Sequence, residues 1–179
     1  MSDNSEIKNL ISEEKTLLRA SLGFLVKDDQ VLLAMKTQKI GKGCWNGYGG
    51  GIEIEETPEQ SIVREFAEEA KITILPEYMT KSAIIDFHNT KSDGSCFICK
   101  VHVYLIKQWQ NKPQETETMI NPTWFLKKQL PLSKMMPADR VWLPMVLEGK
   151  KIVARFNYEP FQKELTGESE IREIDSFSD

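Results

Sequence analysis

Glu65, Glu68 and Glu69 stand at i, i+3 and i+4, with Arg64 immediately before them and Glu56 and the run Gly49-Gly50-Gly51 upstream. On a helix advancing about 100° per residue, Glu68 falls at about 300° and Glu69 at about 40° from Glu65, with Arg64 near about 260°. The three carboxylates therefore share one face. Like charges at that spacing destabilise a helix by about a few tenths of a kcal/mol per pair. A hard divalent cation would offset this repulsion, because it prefers carboxylate oxygens and keeps positions open for water and phosphate oxygens. A solvated acidic face has the same spacing, and spacing alone does not separate the two.

The elements that must position these groups are legible around them. Thr57-Pro58-Glu59-Gln60 carries an N-cap, a proline at the first helical position and the glutamine of a capping box, which predicts a helix from Pro58 to about Ala70. Ile62, Val63, Phe66, Ala67 and Ala70 fall between about 60° and 200° on the same wheel, an apolar face to pack on a sheet that leaves the acids free. Before the helix, the basic loop Lys36 to Gly43 leads into Cys44-Trp45-Asn46-Gly47-Tyr48-Gly49-Gly50-Gly51. Glycine at this density lets backbone approach a ligand or metal closely, although a flexible connector has the same composition.

Leu17 to Val26, a turn at Lys27 to Gln30 and Val31 to Met35 read as a hairpin. After the helix, strands are expected at Ile72 to Leu75, Ser82 to Phe87 and Cys96 to Trp109, with a polar turn at His88 to Ser95. Gln110 to Asn121, which holds Glu115 and Glu117, reads as a surface loop, and Trp124-Phe125-Leu126 resumes apolar character. A proline-bounded stretch from Pro131 precedes a second helix, about Asp139 to Leu147 and closed by Gly149. Strands over about Lys151 to Tyr158 and Glu170 to Ile174 finish the chain. The sum is an α+β fold, an α/β/α sandwich around a mixed sheet, over residues 16–179, with residues 1–15 as a polar N-terminal tail.

The chain has 179 residues and 40% hydrophobic content, which suits one domain with a sizeable core. Its net charge of −4 argues against a broad surface for a nucleic-acid polymer and leaves a small anionic ligand as the partner. There is no apolar run of about 18 residues to enter a membrane and no signal peptide at Met1, so the expected location is cytoplasmic. Three cysteines fit a reducing compartment. Cys96 and Cys99 form a CxxC, but in a strand i and i+3 face opposite sides, so both are expected as small buried residues. His88 and His102 have no convergent partners and are expected to be structural or surface residues.

Residues 50–72 resemble the Nudix box, G-x5-E-x7-R-E-U-x-E-E-x-G-U with U a bulky apolar residue: Gly50, Glu56, Arg64, Glu65, Phe66, Glu68, Glu69 and Ile72 match. Lys71 replaces the last glycine, at a point past the helix end where a left-handed backbone favours glycine. Val31 to Lys36, Trp45 to Gly50, Val101 to Tyr104, Pro122 to Phe125, Met136 to Pro144 and Arg172 to Asp175 are similar to the branch of that family acting on oxidised purine nucleoside triphosphates such as 8-oxo-dGTP. The likeness spans residues 17–175.

The resemblance implies hydrolysis of a purine nucleoside triphosphate to monophosphate and pyrophosphate, with Mg²⁺ or Mn²⁺ held by Glu65, Glu68, Glu69 and the Gly49 carbonyl. It implies that Arg64 braces Glu56 and the glycine loop rather than touching substrate. Some family members take their general base from a loop remote from the box; the nearest such acids here are Glu115 and Glu117. Met119-Ile120-Asn121 holds no acid where this branch would place one, so the expected base is Glu65. Asn46 and Asp139 match purine-reading residues. Ala138 stands for the first of two adjacent aspartates, Met136 for a tryptophan and Ile40 for an aromatic at the pocket entrance, so the oxidised-base preference is expected to be altered. Lys36 is placed either against the nucleotide or on the surface. Two readings compete: hydrolysis of another nucleoside diphosphate linked to X, and a non-catalytic nucleotide sensor. Monomer and homodimer are equally compatible with the sequence.

Overall fold

The computed structural model describes residues 14–178, so residues 1–13 of the expected tail lie outside the described residues. The chain starts with the expected hairpin, β1 (Arg19–Lys27) and β2 (Gln30–Lys36), with Val26 opposite Val31 and Asp28 at φ 53° in the turn. Along β1 the side chains alternate between two cores. Phe24 and Val26 enter one, and Leu25 enters the other.

The alternation reflects a sheet covered on both faces. β1 runs antiparallel to β4 (Tyr48–Gly51) and parallel to β7 (Cys96–Ile106). β7 pairs antiparallel with β6 (Met79–Thr90), which lies parallel to β10 (Lys151–Tyr158), and β11 (Glu170–Ile174) closes that edge. On the other side β2 pairs with β3 (Trp45–Asn46) and β9 (Met119–Leu126). The result is a mixed nine-stranded sheet, with β5 (Thr73–Ile74) and β8 (Trp109–Gln110) as a separate ladder. Helix α1 (Pro58–Glu69) packs Ile62 and Phe66 with Leu25, Leu32 and Ile106. Helix α2 (Asp139–Leu147) packs Trp142 and Leu143 with Phe24, Val103 and Phe156 on the opposite face. This is the expected α+β sandwich. Among the described residues, no helix is long and apolar enough to cross a membrane.

Several boundaries differ from the expectation. The glycine-rich segment is not all loop, because β4 pairs with β1. β6 runs on through His88, so the turn before β7 is shorter, and β7 ends at Ile106 rather than Trp109. β9 begins at Met119, inside the expected surface loop. The edge of β2 is free to pair, and a bulge that sets Asn121 and Pro122 opposite Ala34 removes the proline from the ladder, with Asn121 at φ 52°. Cys96 is exposed at the start of its strand, contrary to expectation, while Cys99 is buried. His102 is half-buried on β7, and burial pushes its imidazole down to about 4.

Candidate active site

Helix α1 starts with the full capping box: Gln60 N–H donates to Thr57 Oγ1 at 3.1 Å, and Thr57 N–H donates to Gln60 Oε1 at 2.9 Å. It ends with Ala70 and Ile72 N–H both bonded to the Phe66 carbonyl and with Lys71 at φ 58°. The left-handed residue is thus kept without glycine, at a cost of about 1 kcal/mol.

The helix is rolled relative to the apolar arc drawn from its wheel. Ser61, Ile62, Glu65, Phe66 and Ala70 are buried, whereas Ala67 is exposed. Two contacts explain the roll. Ser61 Oγ lies 2.7 Å from Ser21 Oγ of β1, and a Cβ at Gly50 would lie 2.8 Å from Glu65 Cδ. Glycine at position 50 is what lets Glu65 lie flat on β4. The acidic face is therefore not uniformly solvated: Glu65 is 8% exposed, while the Glu68 side chain is 60% exposed.

Arg64 organises this face. Its Nε and Nη2 donate to the two Glu56 oxygens at 2.9 and 3.0 Å, Nη2 also donates to the Gly51 carbonyl at 2.9 Å, and Nη1 donates to Glu65 Oε1 at 2.9 Å. Glu68 Oε2 lies 3.5 Å from Nη1. Glu56 accepts a further bond from Glu53 N–H at 2.9 Å, which joins the glycine strand, the loop after it and the helix through one guanidinium. The Arg64 hydrogen bond holds the Glu56 carboxyl below the usual range. Burial, partly opposed by Arg64, pushes Glu65 up.

Burial, with the Glu65 charge adding to it, pushes Glu69 up to about 7, against a bond from the Gly49 backbone and weaker help from Lys36 and Thr118. Lys36 is half-buried, and its Nζ donates to the Ile40 carbonyl at 2.8 Å. Burial lowers its pKa, while the Glu69 and Asp139 charges act in the other direction. Lys36 thus lies within electrostatic reach of both Glu69 and Asp139.

At that second end Asp139 is 5% exposed and accepts a bond from Trp142 Nε1 at 3.0 Å. Burial pushes its carboxyl up to about 7. Ala138 is fully buried, and its N–H donates to Tyr158 Oη at 2.9 Å. Met136 is buried beside the loop after β2, with its sulfur 3.2 Å from where a Cβ on Gly41 would stand. Asn46, on β3, accepts from Gly47 N–H at 2.8 Å through Oδ1; among the described residues no hydrogen bond joins it to Asp139.

The chain matches the NUDIX domain family over residues 17–146. It is 32% identical over 157 residues to the oxidized purine nucleoside triphosphate hydrolase of Mus musculus, covering 88% of this chain and 96% of the mouse protein. The chain belongs to the Nudix hydrolase family. The protein of the same name from Danio rerio is 32% identical over 139 residues, covering 78% of this chain and 85% of its own. The solved structure of a mutator MutT protein from Bacillus halodurans has a TM-score of 0.70 at 24% identity, covering 87% of this chain and 97% of that one, and shows the shared fold.

In this Nudix hydrolase the acids of α1 suit a hard divalent cation by donor chemistry. All are oxygen donors, and the desolvation of Glu65 and Glu69 is of the kind a positive charge relieves. No three acidic, histidine or cysteine side chains among the described residues converge into a ready cage, since Glu65 and Glu68 both face Arg64. The two remote acids are exposed. Glu115 Oε1 accepts from Asn121 N–H at 2.7 Å, and among the described residues Glu117 is engaged through its backbone carbonyl, by Thr37 Oγ1, and not through its carboxylate. Reading the sequence missed Thr116 and Thr118, whose hydroxyls reach Glu69. Nothing in a polar run distinguishes them before the fold brings that run against the end of α1.

Proposed function

We propose that this Nudix hydrolase converts a purine nucleoside triphosphate, oxidised purines included, to the monophosphate and pyrophosphate in a cytoplasmic nucleotide pool. The observation that carries the reading is the pair of desolvated carboxylates, Glu65 and Glu69, on a helix face braced by Arg64, with the half-buried Lys36 within electrostatic reach of both Glu69 and Asp139. Mg²⁺ or Mn²⁺ held by Glu65, Glu68, Glu69 and the Gly49 carbonyl would neutralise phosphate charge and lower the pKa of water. Water is added across the α–β phosphoanhydride. Glu65 takes the proton: Arg64 donates to its Oε1, which keeps the carboxylate oriented and leaves Oε2 as the acceptor. Lys36 is placed to meet the nucleotide between its phosphates and its base.

Asn46 and Asp139 read the purine edge in this proposal. With a pKa near 7, Asp139 carries a proton in a large fraction of molecules at neutral pH and can then donate as well as accept. Met136 supplies thioether packing under the base, and Ile40 forms the pocket entrance. Ala138 offers no carboxylate, which relaxes discrimination among purines.

A hydrolysis screen with and without Mg²⁺ and Mn²⁺, over normal, 8-oxo, 2-hydroxy and methylated purine triphosphates and pyrimidine controls, tests the proposal. Monophosphate and pyrophosphate from purines are expected. Activity on pyrimidines alone would refute it, products of a nucleotide sugar or dinucleoside polyphosphate would move the substrate to another diphosphate-X, and tight nucleotide binding without turnover would make the chain a sensor.

A further inference from the structure

The segment Gln114–Thr118 is held from two sides. Towards α1, Thr116 Oγ1 donates to the Glu69 carbonyl at 2.9 Å, Gln114 N–H donates to the Ala70 carbonyl at 2.9 Å, and Thr118 Oγ1 reaches Glu69 Oε1 at 3.4 Å. Towards β2, Thr37 Oγ1 donates to the Glu117 carbonyl at 2.6 Å and Thr37 N–H donates to the Thr118 carbonyl at 3.1 Å. Met119 N–H donates to Thr116 Oγ1 at 3.3 Å and fixes the segment where β9 begins. Two of these contacts cap the carbonyls at the helix end, which need partners in any case. The Thr118 hydroxyl is different, because it touches the Glu69 carboxylate itself.

We propose that Thr118 is a positioning residue for Glu69: its hydroxyl sets the direction of the carboxylate, and Thr37 fixes Thr118 by bonding the backbone on both sides of its amide. Glu69 is the last residue of α1 and, among the described residues, makes no ion pair with Arg64, so its carboxylate is oriented from outside the helix, by the Gly49 backbone on the β4 side and by Thr118 on the other. Thr37 follows Lys36 directly, so the end of β2 that carries a lysine feeling the Glu69 charge also anchors the residue that aims Glu69. At 3.4 Å the Thr118 contact is longer than an ordinary O–H···O bond and contributes little to folding. Its loss therefore separates orientation from stability. The inference rests on the reading of Glu69 as a metal ligand.

The test measures Mn²⁺ affinity by titration calorimetry, kcat and KM, and the thermal midpoint for wild type, T118V, T118S, T37V and E69Q. T118V is expected to bind Mn²⁺ about tenfold more weakly, the usual scale for a lost outer-shell hydrogen bond. Its kcat should fall with KM nearly unchanged, its midpoint should stay at the wild-type value, and T118S should restore affinity and kcat. T37V should shift Mn²⁺ affinity in the same direction by a smaller factor. Wild-type Mn²⁺ affinity in T118V, or T118S as impaired as T118V, would overturn the positioning role, and wild-type affinity in T37V would overturn the part given to Thr37. Wild-type Mn²⁺ affinity in E69Q would instead overturn the assignment of Glu69 as a ligand.

Discussion

Replacing Asp139 by asparagine tests the electrostatics of the α2 end of the candidate site without touching the α1 acids. Burial pushes the Asp139 carboxyl from an ordinary 3.8 up to about 7, against the opposing effects of the Trp142 hydrogen bond and Lys36. A carboxyl whose pKa is raised on folding gives its full contribution to stability below the unfolded value and loses it as pH rises to the folded value. Between pH 5 and about 7 the folded protein still binds a proton that the unfolded chain has released. Each pH unit in that interval costs about 1.4 kcal/mol, and above about 7 the loss levels off. From pH 5 to 8 this group alone should remove about 2 to 3 kcal/mol. D139N is neutral throughout and keeps an oxygen for Trp142 Nε1, so its stability relative to wild type should rise by that amount over the same interval. Urea unfolding of both proteins at pH 5, 6, 7 and 8 without divalent ions measures the difference, and the titration of Glu65 and Glu69, common to both, largely cancels. A D139N-minus-wild-type difference that is flat across this range would refute the reasoning and would mean that Lys36 holds Asp139 ionised as a pair.

Four further outcomes follow from single contacts. E68Q and E69Q should each abolish turnover while keeping the wild-type circular dichroism. The unfolding midpoint of E68Q should stay near wild type, and that of E69Q should stay at or rise above it at neutral pH, because burial disfavours the Glu69 charge; a near-normal rate would remove either residue from the metal site. K71G should stabilise the protein by about 1 kcal/mol in urea unfolding, because Lys71 occupies the left-handed region at φ 58°; a loss of stability would mean that the lysine side chain makes up for its strain. G50A should lower kcat by at least about tenfold, since the added methyl falls on the Glu65 carboxyl group and a displaced catalytic group is costly; unchanged kcat would show that the closeness of β4 to Glu65 has no catalytic weight. R64K keeps the charge but cannot span both Glu56 oxygens, Glu65 and the Gly51 carbonyl, so both kcat and the thermal midpoint should fall.

The parts of the fold that were legible in the sequence are those with local causes. The capping box fixes the start of α1, the hairpin is announced by its polar turn, and β10 and β11 lie over Lys151–Tyr158 and Glu170–Ile174, where strands are expected. The parts that were not legible depend on a partner elsewhere in the chain. Gln110 to Asn121 reads as a loop because most of its residues are polar, yet the free edge of β2 recruits its end from Met119 on and a bulge accommodates Pro122. The roll of α1 depends on Ser21 and Gly50 beneath it, so a helical wheel alone placed Ala67 inside and Glu65 outside, the reverse of what is found. At the candidate site, spacing grouped the acids with Arg64. It did not show that Glu65 is buried, that Glu68 is exposed, or that Thr118 lies against Glu69.

The start of β9 also bears on where a general base can be placed. Met119 is buried in the core beneath α1 with Leu32, Tyr48 and Phe66, so an acid at that position would have to enter an apolar layer. Glu115 is tied to the Asn121 backbone, and the exposed Glu117 is engaged, among the described residues, through its carbonyl and not through its carboxylate. The segment therefore contributes threonine hydroxyls to Glu69 and no carboxylate. On the proposed reading, proton transfer falls to α1 itself, where Arg64 holds Glu65 from one side and β4 limits it from the other. A helix face with this proposed duty tolerates little rearrangement, whereas the end proposed to read the base, with alanine at 138 and methionine at 136, keeps fewer fixed polar contacts. On this division of labour, substitutions on α1 should change kcat for every substrate alike, while substitutions at Asn46, Met136, Ala138 or Asp139 should change the ranking of purines.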